Sequence, residues 1–394
     1  MTAAIVIEPA IVIEHCAIAT MDGRRDDEGG SEHRSGHVVI ADGRITAVGE
    51  GPAADVPEGA RRVDGTGCLA TPGLVNAHHH LYQWLTQGQA QQSVLFDWLT
   101  ELYPVWARID ADEDAVRRFH DPSPSAMVQV AVAPCSPFSV SSRLMREAAG
   151  LARRLGVRMH THLAETREED AYCRQTLGCS PAEYAEELGW LGEDVWLAHC
   201  VHLDEPAVKR FAATGTSVAH CPSSNARRGA GIAPVRQLLA AGAPVGLGVD
   251  GPASSEGTSL AGEVRQALLA ARLRDSRGPA ALTPRQALWL GTRGGARCLG
   301  RADEIGALRP GMLADIALWR VDSFVHDAIA RGPDGGQAGG DPVAALVLGP
   351  PAPLELLLVG GTPVVENGEL RTVDVTAAAR DVRAARLRLR AAAR

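Results

Sequence analysis

Residues 71–87 read TPGLVNAHHHLYQWLTQ, a short apolar run that ends in three consecutive histidines. A run of this length bounded by turn formers is the mark of a buried strand. Side chains alternate along a strand, so His78 and His80 share a face while His79 points away. A solvated loop would explain three imidazoles. So would a site that needs two of them aimed at one point.

The same grammar recurs downstream. MVQVAVAP (127–134) precedes SRLMREAAGLARRLG. VRMHTHLAE (157–165) precedes a charged helix expected to run to about Leu188. VWLAHC (195–200) precedes DEPAVKRFAATG, TSVAHCP (216–222) precedes APVRQLLAAG, and PVGLGVD (244–250) precedes SLAGEVRQALLAARLR. Strict alternation of strand and helix implies right-handed crossovers and a parallel sheet. With LVNAHH as the first strand, the pattern predicts an α/β fold of the (β/α) TIM-like barrel type over residues 72–302.

On either side the style is different. Residues 1–71 and 303–375 alternate and break at Asp-Gly and Gly turns, and are expected to pair into one composite β-sandwich domain. DGRRDDEGGSEHRSGH (22–37) reads as a mobile hairpin loop. The tail 376–394 carries six arginines against Asp381 and reads as a solvated helix.

Composition narrows the class. A net charge of −8 argues against general nucleic-acid binding. Eight scattered cysteines without a C-x-x-C pair read as reduced thiols, hence a cytoplasmic location. The start MTAAIVIEPAIVIEH has no basic region, and no apolar run reaches about 18 residues, so neither a signal peptide nor a membrane span is expected.

In a barrel of this type chemistry gathers where strands end. Here the ends carry His78–His80, His162, His199, His220 and Asp250. His160 and His162 share a face, so spacing does not choose between them, although His162 lies nearer the exit. Three imidazoles and a carboxylate suit zinc, or iron of similar geometry, with a position left for water. The only lysine, Lys209, falls on a helix, which removes the usual bridge between two metals and leaves a mononuclear site. GLGVDG (246–251) matches a dinucleotide-binding pattern in form, but Pro252 follows where a helix should open. His202 and His220 read as packing or supporting residues.

Taken together, PGLVNAHHH, HTHLAE, WLAHCVHL, VAHCPSSN and GLGVDG resemble the amidohydrolase superfamily in its mononuclear deaminase branch. HHHLYQWLTQ, FHDPSPSAMVQVAVAPCSPFSVS and GIAPVRQLL are similar to the 8-oxoguanine deaminases within it. The resemblance implies His78, His80, His162 and Asp250 as ligands of one Zn2+, with Fe2+ as the alternative. It implies Glu165, His199 and Asp250 as catalytic, and Gln83, Cys135, Ser136 and Asn225 as lining the pocket of a small heteroaromatic substrate. The implied reaction is hydrolytic deamination of 8-oxoguanine to urate and ammonia, by a homo-oligomer. Guanine, a pterin or a triazine is the alternative ring, and an impaired member that only binds metal or a partner is the alternative role. Family barrels have eight strands and this chain offers six, as if a block were removed near Val116–Arg118.

Overall fold

The hairpin around Asp42-Gly43 shows how locally this chain is instructed. Both residues take positive φ, 51° and 71°, as a two-residue turn matched to strand twist requires. The computed structural model describes residues 10–392 except 24–29, 88–91, 94–96, 98–101, 103–118, 276–277, 279–280 and 332–339. Among the described residues the strands are, in chain order, β1 (Ile11–Ala19), β2 (Glu32–Ala41), β3 (Arg44–Glu50), β4 (Arg61–Asp64) and β5 (Cys68–Pro72). There follow β6 (Met159–Leu163), β7 (Val195–His199), β8 (Ser217–His220) and β9 (Val245–Leu247). Last come β10 (Ile316–Arg320), β11 (Leu354–Val359), β12 (Thr362–Glu366) and β13 (Glu369–Leu370).

The chain divides into two compact units. The first comprises Met1–Val75, Thr283–Ala296 and Arg301–Val375. Its strands form one nine-stranded sheet, β13-β12-β11-β10-β5-β1-β2-β3, with β4 paired to β1. The two chain ends meet where β5 runs antiparallel to β10, Leu69 opposite Trp319. The core there is Ile and Val of β1 and β2 against Ile316, Leu318, Leu356 and Leu358. Residues 32–37 of the expected loop at 22–37 are strand: β2 begins at Glu32 and pairs with β1 down to Ala19, absorbing two register shifts near His15 and Ala17. The long, polar run hid a strand because residues 32–35 extend past the end of β3 and pair with β1 alone, where an irregular ladder tolerates Ser, Gly and Arg.

The second unit comprises Asn76–Leu282, Arg297–Gly300 and Thr376–Arg394. It is built on a parallel sheet, β6-β7-β8-β9. Single parallel bridges add Val132 beside Met159 and Asn76 beside Leu247. Six parallel segments therefore lie in the order 132, β6, β7, β8, β9, 76. The first in sequence sits at one edge and the second at the other. Among the described residues no strand joins those outer two. The block expected near Val116–Arg118, and most of the helix FDWLTELYPVWARI, lie outside the described residues.

The helices follow their caps. Ser142–Leu155 starts on the Ser141 side chain and stops at Gly156, φ 66°. Glu205–Thr214 starts on Asp204 and stops at Gly215. The charged helix expected up to Leu188 is in fact two, Arg167–Tyr172 running into a wide turn to Leu177, then Pro181–Glu187. Gly178 at φ 74° and Pro181 at the first helical position explain the break. The 127–134 strand is shorter than expected, since Met127 and Val128 are exposed and only Val132 pairs. Residues 283–296 group with the first unit instead of the barrel region. The tail is helical, Val375–Ala392, and groups with the second unit instead of standing apart. No helix among the described residues is long and apolar enough to cross a membrane.

Candidate metal centre and active site

Five of the expected side chains converge where the parallel segments end. The His78 ring lies 4.7 Å from His80, 4.9 Å from His162 and 5.4 Å from His199, centre to centre. Candidate ligand atoms of His78, His162 and His199 fall within 4.8 Å of one another, as do those of His78, His80 and Asp250. The backbone bends sharply to deliver them. Ala164 after β6, His199 and Cys200 at the end of β7, and Asp250 after β9 all have positive φ, from 50° to 68°. Such conformations cost non-glycine residues energy and collect at functional sites.

Hydrogen bonds behind the rings decide which nitrogen faces inward. His160 Nδ1 lies 2.8 Å from the Trp196 carbonyl, which can only accept, so the proton is on Nδ1. Its Nε2 must then accept, and it does so from His78 Nδ1 at 2.7 Å. This leaves His78 Nε2 as a buried lone pair without a hydrogen bond, 3.3 Å from Asp250 Oδ1. His162 donates Nδ1–H to the Cys135 carbonyl at 2.6 Å, and its Nε2 faces His80 Nε2 at 3.1 Å. His199 donates Nδ1–H to Asn225 Oδ1 at 2.9 Å, leaving Nε2 toward Glu165, 3.6 Å away. A lone pair facing a carboxylate inside a protein is repulsive unless a cation lies between them. The donor set therefore fits a divalent ion, and the partners behind each ring are those that orient metal-bound histidines. His160 has both nitrogens engaged in these hydrogen bonds, whereas His162 keeps its Nε2 directed at His80.

Electrostatics agree. Burial holds His78 well below the ordinary imidazole value and pulls His80 and His160 down to about 3, so these rings are neutral. Burial works to raise Asp250, but interaction with His78 and His80 outweighs it and holds the carboxyl well below its ordinary value; with the rings neutral, a bound cation would take that part. Burial opposes charge on His162, yet its contacts with Cys135 and the nearby Glu165 raise the ring to about 9, so positive charge is favoured at that point. Asp250 Oδ2 accepts a 2.6 Å hydrogen bond from Ser224. Ser224 and Asn225 share the short helix Pro222–Arg227, whose Ser223 N–H is held at 3.0 Å by Glu263 Oε2. Glu263 is buried, and this pushes it up to about 7. Behind Glu165, the buried Glu169 carboxylate accepts the N–H groups of Ala164 and Glu165, each at 2.9 Å.

The pocket residues fare unevenly. Gln83 is buried in the short turn Leu81–Leu85 directly after His80, against Ser254 and Gly251 of the segment that follows Asp250. Asn225 is fully buried with its oxygen committed to His199. Cys135 contributes its main-chain carbonyl to His162, and Ser136 turns its hydroxyl to Ser139 at 2.6 Å. His202 bonds the Ala230 carbonyl, and Lys209 pairs with Glu205 on its own helix. Reading the sequence missed Ser224, Glu169 and Glu263. Only the H-x-H spacing signalled His160.

Residues 105–343 match the model of the amidohydrolase family. The chain belongs to that family. An 8-oxoguanine deaminase of Pseudomonas aeruginosa is 35% identical over 430 residues, covering 87% of this chain and 92% of its own length. That span exceeds the length of this chain, so the relative carries residues without a counterpart here. An isoxanthopterin deaminase from an unknown prokaryotic organism is 44% identical over 226 residues, 53% of this chain and 46% of that one. Among solved structures, atrazine chlorohydrolase TrzN from Arthrobacter aurescens, complexed with zinc, matches with a TM-score of 0.83 at 25% identity, over 95% of this chain and all of that one. The amidohydrolase chain is thus a metal-dependent hydrolase acting on C–N bonds, with deaminases among its relatives.

Proposed function

We propose that this amidohydrolase deaminates a fused 2-aminopyrimidin-4-one ring, with 8-oxoguanine, giving urate and ammonia, as its substrate. The observation that carries the reading is the convergence of His78, His80, His162 and Asp250 with Glu165 set 3.6 Å from His199. His78, His80, His162 and Asp250 would hold one zinc ion. When bound, such an ion lowers the pKa of water toward about 7 and supplies hydroxide near neutrality.

The chain's own groups do the rest. Asp250, kept ionised, accepts the proton of the attacking water. Glu165 delivers a proton to the ring nitrogen beside the amino-bearing carbon and then to the departing ammonia. His199, fixed by Asn225, presents Nε2 to the water and the oxygen developing from it. The shallow turn with Gln83 meets the ring edge. By the same reading the parallel sheet is a section of the family's barrel wall, the nine-stranded sheet is its β-sandwich, and the protein is a homo-oligomer.

The higher local identity to an isoxanthopterin deaminase supports a pterin as the second substrate, since both rings present the same amino-pyrimidinone edge. Ammonia release from 8-oxoguanine, isoxanthopterin and guanine is the direct test. Glu165→Gln should abolish release, at least a hundredfold by the usual size of general-acid effects, while zinc content stays at that of the wild type. Undiminished turnover would remove Glu165 from the chemistry. A wild-type protein that binds zinc yet releases ammonia from none of the three would favour a binding-only role.

A further inference from the structure

We propose that the C-terminal helix Val375–Ala392 is a strap over the substrate side of the site, and that Arg386 is its positioning residue. The proposal rests on the reading of Gln83 as a substrate contact. Among the described residues the turn that carries Gln83 is held on its inner side, by Gln83 against Ser254 and Gly251. Leu81–Leu85 is a single stretch of 3-10 helix with no side-chain cap at its start. On its outer side Leu81 is 77% exposed and Trp84 36% exposed. Short 3-10 pieces have poor hydrogen-bond geometry and are seldom stable alone.

Arg386 holds the turn from its outer side. Its Nε and Nη2 both donate to the Trp84 carbonyl, at 2.9 and 2.7 Å, and Nη2 also donates to Gln87 Oε1 at 3.1 Å. The fork thus grips a carbonyl in the last part of the turn and a side chain two residues beyond its end. From there the hold passes inward. Gln87 Nε2 donates to the Glu256 carbonyl at 3.4 Å, and Gln83 rests against Gly251, next to Asp250. The helix is placed for this task. Of its six half-buried positions among the described residues, five, 378, 382, 385, 386 and 389, form one stripe at helical spacing, with Arg386 inside it. Arginine suits the role because its planar fork loses little freedom for each hydrogen bond.

The test uses the full-length zinc-loaded protein with Arg386→Ala, Arg386→Lys, and Arg383→Ala as a charge control at an exposed position of the same helix. Amide hydrogen exchange is followed at residues 81–87, and kcat and KM are measured on 8-oxoguanine. Arg386→Ala should speed exchange in this segment and raise KM by about tenfold, the scale expected when charge-assisted hydrogen bonds are lost. Zinc content and kcat should stay within about twofold, a split that general destabilisation would not produce. Arg386→Lys should recover part of both effects, and Arg383→Ala should show neither. Unchanged exchange in Arg386→Ala overturns the strap. Faster exchange with unchanged KM overturns its role in substrate positioning. If the wild type does not act on 8-oxoguanine, the proposed function fails, and the exchange measurement still decides the strap.

Discussion

His160→Phe isolates the support of one metal ligand. The phenyl ring keeps the stacking on Trp196, whose ring lies 4.6 Å away and nearly parallel to the imidazole, but it cannot accept from His78 Nδ1. With an ion bound, His78 must keep its proton on Nδ1, and that buried N–H would then have no acceptor. An unsatisfied buried donor costs about 1–3 kcal/mol. Without an ion the imidazole can move its proton to Nε2, toward Asp250 Oδ1 at 3.3 Å, and escape most of that cost. The penalty therefore falls on the bound state, and zinc affinity should drop roughly 10- to 100-fold, the range seen when partners of metal-bound histidines are removed. Competition with a chelator at neutral pH measures it, with His160→Gln, which restores an acceptor, as the companion. Affinity within about twofold of the wild type in His160→Phe would show that the tautomer of His78 is not set by His160.

Two further expectations follow from packing and charge. Glu263 has a folded-state pKa near 7, raised by burial, against an ordinary value of 4.5. Its contribution to stability is complete below pH of about 4.5 and is lost as pH rises through about 7, a change on the order of 3 kcal/mol. Glu263→Gln keeps an oxygen for the Ser223 N–H, so it should match the wild type's thermal midpoint at pH 5 and exceed it at pH 8. An equal midpoint difference at both values would discount the buried charge. A Cβ added at Gly251 would come within 1.8 Å of Gln83 Oε1, so Gly251→Ala must displace Gln83. KM on the active substrate should rise several-fold with zinc content unchanged, and an unaltered KM would separate Gln83 from the substrate.

The strand exits were legible because imidazoles and carboxylates at the ends of apolar runs break the pattern of a core. His78 and His80 could be paired from their spacing alone. What stands behind them could not. His162 is oriented by a main-chain carbonyl at Cys135, and any residue type would provide one. Asn225 reads as a pocket residue, yet its oxygen faces His199, 26 residues away, through a register that only the folded sheet sets. The tail is rich in arginine and reads as solvated, while one stripe of it is half-buried. Two of the three hydrogen bonds of Arg386 go to a backbone carbonyl, which leaves no trace in the sequence. The strand hidden in 32–37 fails for the opposite reason, because across two register shifts and past the end of β3 polarity says little about pairing.

The left-handed backbone at Ala164 has an evolutionary consequence. An alanine at φ 50° costs on the order of 1 kcal/mol that a glycine would not incur. Ala164→Gly therefore offers an easy gain in heat resistance, reduced but not cancelled by the freer unfolded chain. That same freedom would loosen the peptide whose N–H groups Glu169 grips, and with it the aim of Glu165. A population selected only for survival at high temperature should drift toward glycine at this exit and grow slower as a catalyst. One selected on turnover should keep the alanine and accept the lower melting point.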